Sequence, residues 1–178
     1  ADGLWTLAGQ SFREICSTLK SLGRFRDFAW LSLCGFLYQS GIAVVITLSA
    51  VYAAEVMGFT TVDTLILVFL VNITAAVGAF GFGYLQDRIG HKRALGITLI
   101  VWVLMIVLAA MAVNRPVFWT AANLAGLAMG SSQSAGRAIV AILSPKTRSA
   151  EFFSFWNMAL WLAAIVGPLA YGSVTWIT

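Results

Sequence analysis

The chain has 178 residues, 60% of them hydrophobic and only 10% charged, with a formal net charge of +4 at pH 7. A soluble domain of this size needs more charged surface to stay dispersed, so the composition excludes an ordinary globular protein and indicates an all-α integral membrane protein. With only two cysteines, Cys16 and Cys34, and a single histidine, His91, neither a disulfide framework nor a metal site is expected.

Residues 1–26 come first and differ from the rest. Ala8, Phe12, Ile15, Leu19 and Leu22 recur at helical spacing while Arg13, Glu14, Ser17 and Lys20 take the other faces. That pattern predicts an amphipathic helix lying in the cytoplasmic membrane interface, with Trp5 as a headgroup-level anchor; a disordered linker is the alternative.

A helix needs about 20 mostly apolar residues to cross the hydrocarbon core. Within residues 27–178, five stretches qualify: roughly Phe28–Ala53, Val62–Gln86, Ala94–Val113, Val117–Leu143 and Phe152–Ile177. All are too long and unbroken for barrel strands. The first span carries Tyr38, Gln39 and Ser40, and the second Asn72 and Thr74. The third is almost purely aliphatic, as a lipid-facing helix would be. The fourth is the most polar and steps small residues every four positions, at Gly126, Gly130 and Ser134. Such a stripe lets another helix approach closely. The fifth contains Asn157, Trp161 and the pair Gly167-Pro168. Pro168 removes a backbone hydrogen bond and can bend its helix.

Charge sets the expected topology. Arg13, Lys20, Arg24 and Arg26 precede the first span, Arg88, Lys92 and Arg93 follow the second, and Lys146 and Arg148 follow the fourth. The opposite side has Arg115 alone, with Glu55 and Asp63 as its acids. The positive-inside rule then places the N-terminal side in the cytoplasm, in a bacterial inner membrane on this reading. The same distribution accounts for the basic residues without nucleic acid as a partner.

One polar stretch interrupts the apolar chain, "GFGYLQDRIGHKRAL" from Gly81 to Leu95. Gly83, Asp87, Arg88, Gly90, Lys92 and Arg93 fit G-x-x-x-D-R-x-G-x-K-R between the second and third spans. Topology explains the bases, but not an acid four residues after one glycine and three before another. The stretch resembles the signature loop between the second and third helices of each half of the major facilitator superfamily. Gly167-Pro168 is similar to the glycine-proline signature on a fifth helix, and Arg137 falls where members carry an arginine on a fourth. The resemblance implies a major-facilitator-type helix bundle. Its five spans would correspond to helices 7–11, following the interhalf linker and lacking the last helix of that half. "FLYQSGIAVV" and the stretch from Gly130 to Trp156 resemble the unknown-major-facilitator branch, which includes vacuolar amino-acid effluxers. That branch is expected to carry an aspartate where this chain has Ser40, which puts any coupling role of that acid in doubt. In the family the signature loop acts as a latch between halves, a role that would fall here to Asp87 and Arg88.

Candidate cavity residues are Tyr38, Gln39, Asn72, Asn123, Gln133, Arg137, Asn157 and Trp161. Each is polar or amphipathic within a span and must find a partner or water. Helix-to-helix hydrogen bonding, common in such bundles, is the more ordinary account of each uncharged one. A charge in hydrocarbon costs about 2.5–3.5 kcal/mol on insertion scales, so Arg137 either meets an anionic solute group beside Gln133 or snorkels to the headgroups.

No GxSxG, HExxH, P-loop or paired carboxylates occur, so no enzymatic activity and no cofactor are expected. The expected function is secondary transport of a small solute, such as an amino acid or related metabolite. Its partners would be the lipid bilayer, the solute and the other transporter half. The competing reading is a transporter-like subunit with a structural or assembly role in a larger membrane complex.

Overall fold

In the computed structural model, residues 25–177 are described; the amphipathic helix expected over 1–26 lies almost wholly outside them. Five α-helices follow in order: α1 (Arg26–Glu55), α2 (Thr61–Ile89), α3 (His91–Ala110), α4 (Arg115–Leu143) and α5 (Ser149–Ile177). No helix end departs by more than three residues from the span read in the sequence. Four of them, α1, α2, α3 and α5, are long and apolar enough to cross a membrane. Helix α4 has the length, 29 residues, but its glycines, serines and amide side chains lower its hydropathy.

Local chemistry sets the helix boundaries. Thr60 and Asp63 form a reciprocal capping box at the start of α2, each bonding to the other's backbone N–H. The Asn114 side chain accepts from Val117 N–H at 3.1 Å at the start of α4, where Pro116 in the first turn gives up no hydrogen bond. Gly90 separates α2 from α3 with φ 87° and ψ 147°, a conformation open only to glycine.

The helices form two units. In the first, residues 25–44 and 140–177, α1 runs beside α5. Phe28 packs on Phe152 at 4.6 Å between ring centroids, Trp156 covers Gly35, and Gly167 lies against the backbone of Ser40. Both sets of numbers rise together, so the two helices are parallel. Phe28, Val140, Phe152 and Trp156 make the buried cluster at their N-terminal ends. Helix α5 continues through Pro168 without a break, and Gly167 serves as a close-contact point.

In the second unit, residues 45–139, α2 runs beside α4. A Cβ on Gly126 would strike the Val71 backbone, one on Gly130 the backbone of Ala75 and Ala79, and one on Gly78 the backbone of Leu127. Gly83 comes next, with Ser134 Oγ 3.8 Å from where its Cβ would be. This pair is also parallel. From Val71 to Gly83 the seam covers about 18 Å at 1.5 Å per residue. Gly126, Gly130 and Ser134, which the sequence marked as a packing stripe, are thus used as one. The seam also needs Gly78 from the facing helix.

Gly130→Val would force these backbones apart at a cost of about 1–3 kcal/mol. It should lower the thermal unfolding midpoint in detergent measurably. Gly172→Ala, at a position with no neighbour within 4 Å, should leave it unchanged.

Candidate functional site

The signature loop is the densest group of functional candidates. It is built from the end of α2 and the start of α3. Asp87, Arg88, Lys92 and Arg93 are all exposed there. Arg88 donates a hydrogen bond to Tyr84 Oη, and its guanidinium lies 4.6 Å from the Tyr84 ring centroid. Tyr84 therefore tethers one cation of the loop one turn back along the same helix. Among the described residues Asp87 enters no ion pair. Gly83 faces the α4 seam and Gly90 makes the turn. Next to Asp87, Gln86 is only 7% exposed, and its Oε1 has no donor among the described residues. His91 Nδ1 is likewise buried and unpartnered. Such groups cost free energy unless something satisfies them. In the sequence Gln86 is only the last residue of the second span, and nothing there marks its burial.

The candidate cavity residues divide between the units. Tyr38 and Gln39 are half-buried in the first, where Asn157 and Trp161 are exposed. Asn72, Asn123, Gln133 and Arg137 belong to the second. Asn72 donates to Val68 O at 2.7 Å and Asn123 to Trp119 O at 2.8 Å, each on its own helix. Gln133 is half-buried and Arg137 exposed, one turn apart on α4.

The second unit holds a cavity of about 290 Å³ that none of these residues lines. Helices α1 to α4 all contribute to it. Apart from Ser49, Thr64 and the indole of Trp102 its wall is aliphatic, Phe118 or Met, with alanines at 50, 53, 109, 121, 122 and 125 leaving the space. The alanine spacing on α4 is the signal in the sequence, but alanines on an apolar helix read equally as packing.

The loop motif and the close-packed parallel helices agree with what the whole sequence matches. A model of the family described as "Vacuole effluxer Atg22 like" matches residues 3–178. The chain belongs to this family. It is therefore a multi-pass membrane protein of the major facilitator kind, on the Atg22-like branch. Among curated relatives, an uncharacterized MFS-type transporter, YxiO of Bacillus subtilis, is 30% identical over 159 residues, covering 89% of this chain and 37% of the relative. Autophagy-related protein 22 of Candida glabrata is 24% identical over 183 residues, 96% of this chain and 32% of that protein. The minor myo-inositol transporter IolF of Bacillus subtilis is 33% identical over 94 residues, 53% of this chain and 21% of its own. The Atg22-like chain thus spans about a third of the length of the first two relatives.

At Gly90 any side chain meets the backbone strain of its φ and ψ, at about 1–3 kcal/mol. Gly90→Ala should lower the unfolding midpoint of the Atg22-like protein although no atom within 4 Å opposes a Cβ there. An unchanged midpoint would mean the loop relaxes into another conformation.

Proposed function

We propose that this chain is part of a secondary transporter that moves a small solute, an amino acid or related metabolite, by alternating access. The observation that carries the reading is the signature loop. An exposed acid and three exposed bases sit on a glycine-limited turn, beside the buried, unpartnered Gln86 carbonyl. A group of this kind suits a reversible latch. Asp87 and Arg88 are open to partners from the other transporter half, and a donor from that half would satisfy Gln86 in one access state.

All five helices cross the membrane on this reading. The parallel seam supports a crossing by α4, since a helix in backbone contact with α2 over about 18 Å shares its depth. Alternating direction through five spans makes α2 and α4 parallel and α1 and α5 parallel, as their contacts are. The excess of basic residues at the signature-loop end puts that end and the N-terminal side in the cytoplasm. Tyr38, Gln39, Asn157 and Trp161 from one unit, and Asn72, Asn123, Gln133 and Arg137 from the other, are the residues proposed to meet solute or its water. The similarity to a myo-inositol transporter supports a small polar solute.

The test is flux into proteoliposomes containing the intact protein, offered amino acids and polyols in turn. At least one should be transported, and Asp87→Asn should slow it about tenfold or more, the worth of one charge-assisted hydrogen bond in the latch. Transport of none, or full activity in Asp87→Asn, would refute the proposal.

A further inference from the structure

Helix α4 carries two arginines, and only one of them has partners among the described residues. Arg115 opens the helix and reaches out of it, donating from Nε to Met57 O at 3.0 Å and from Nη2 to Gly58 O. Its guanidinium also lies 5.2 Å from the Phe59 ring centroid, which completes a clasp on the α1–α2 loop. Arg137, near the other end of α4, has no hydrogen-bond or ion-pair partner among the described residues. A guanidinium has five donors and keeps its charge, so an unpaired one within a span is costly.

The α2–α4 seam shows which way Arg137 faces. Seven residues make nearly two helical turns, and Arg137 lies seven beyond Gly130, on the α4 face pressed against α2. Gln86 lies seven beyond Ala79, whose backbone meets Gly130, and so belongs to the α2 face turned toward α4. The two residues are also level. Ser134 Oγ is 3.8 Å from the Cβ position of Gly83, the helices run parallel, and Gln86 and Arg137 each follow three residues later. A cation with unused donors therefore stands opposite a buried carbonyl that lacks one.

The seam also shows why they are apart. At Gly78, Gly126 and Gly130 a Cβ would strike the backbone of the facing helix. At Gly83 no backbone atom of α4 comes within 4 Å of that position. The helices have parted by this level, and Arg137 is exposed while Gln86 is covered.

We infer that Gln86 and Arg137 are the two sides of a clamp across this seam. When the signature-loop ends of α2 and α4 close, the Arg137 guanidinium donates to Gln86 Oε1. The bond is charge-assisted, and it fixes the residue next to Asp87, so the clamp positions the signature loop. The pair lies within one unit and does not depend on which solute is carried. Its competition with the other transporter half for the same carbonyl rests on the latch proposed above; the pair itself does not.

The experiment measures thermal unfolding midpoints of the intact protein in detergent for Gln86→Leu, Arg137→Leu and the double variant. Each single change should lower the midpoint by about 2–4 °C, and the double by no more than the larger single. Asp87→Asn should be additive with Arg137→Leu. Additive effects of Gln86→Leu and Arg137→Leu, or coupling of Arg137 to Asp87 instead, would overturn the clamp. If a leucine variant fails to fold, oxidation in membrane vesicles decides, with Cys16 and Cys34 replaced by serine. Gln86→Cys with Arg137→Cys should form a disulfide, and Gln86→Cys with Gln133→Cys should not. No disulfide in the first, or equal yields in both, would overturn it as well. Neither readout involves flux, so the clamp and the transport reading fail separately.

Discussion

Acyl chains are as apolar as leucine, so within a bilayer no hydrophobic force presses one helix onto another. Association then depends on how closely two backbones can come and how many atoms touch when they do. In this chain that requirement is met along one seam. Gly126 and Gly130 of α4 lie on the backbone of α2, and Gly78 of α2 lies on the backbone of α4. Because the contacts advance in the same direction on both helices, the seam also fixes their relative polarity. The signature loop is left at one end of the second unit and the Arg115 clasp at the other. The first unit solves the same problem by a different mixture, with Gly35 under Trp156, Gly167 against Ser40, and an aromatic cluster around Phe28 and Phe152.

Polar groups on the spans are accommodated largely within their own helices. Asn72, Asn123, Thr98, Ser131 and Ser132 each donate to a carbonyl three or four residues earlier. A hydroxyl satisfied this way needs neither a neighbouring helix nor a solute to donate to. Asn72 and Asn123 each spend one amide N–H this way, which leaves the carbonyl and the second N–H for another partner. Gln86 differs, because it is buried and its acceptor is unpartnered. Ser32 Oγ and Trp102 Nε1, deeper in their helices, are likewise buried without a partner among the described residues.

The five helices, their boundaries and the loop between α2 and α3 were legible because each depends on local patterns. Long apolar runs demand internal backbone bonding, and a glycine-acid-base motif survives any packing. The branch resemblance, carried by "FLYQSGIAVV" and the stretch from Gly130 to Trp156, agrees with the family the whole chain matches. The apolar cavity was not legible, since alanines at 121, 122 and 125 look the same whether they admit a neighbour or leave a gap. Arg115 was counted only as a minority charge in the topology, because its partners are backbone carbonyls more than fifty residues away.

By itself, then, the sequence determined that this is a polytopic helical membrane protein with a major-facilitator signature loop, since hydropathy, helix length and motif spacing are properties of consecutive residues. Tertiary structure alone decided which small residues are contact points and which line empty space, which polar groups are satisfied, and what the solitary base opening α4 holds. Those outcomes depend on distances between residues far apart in the chain, and neither composition nor periodicity encodes them.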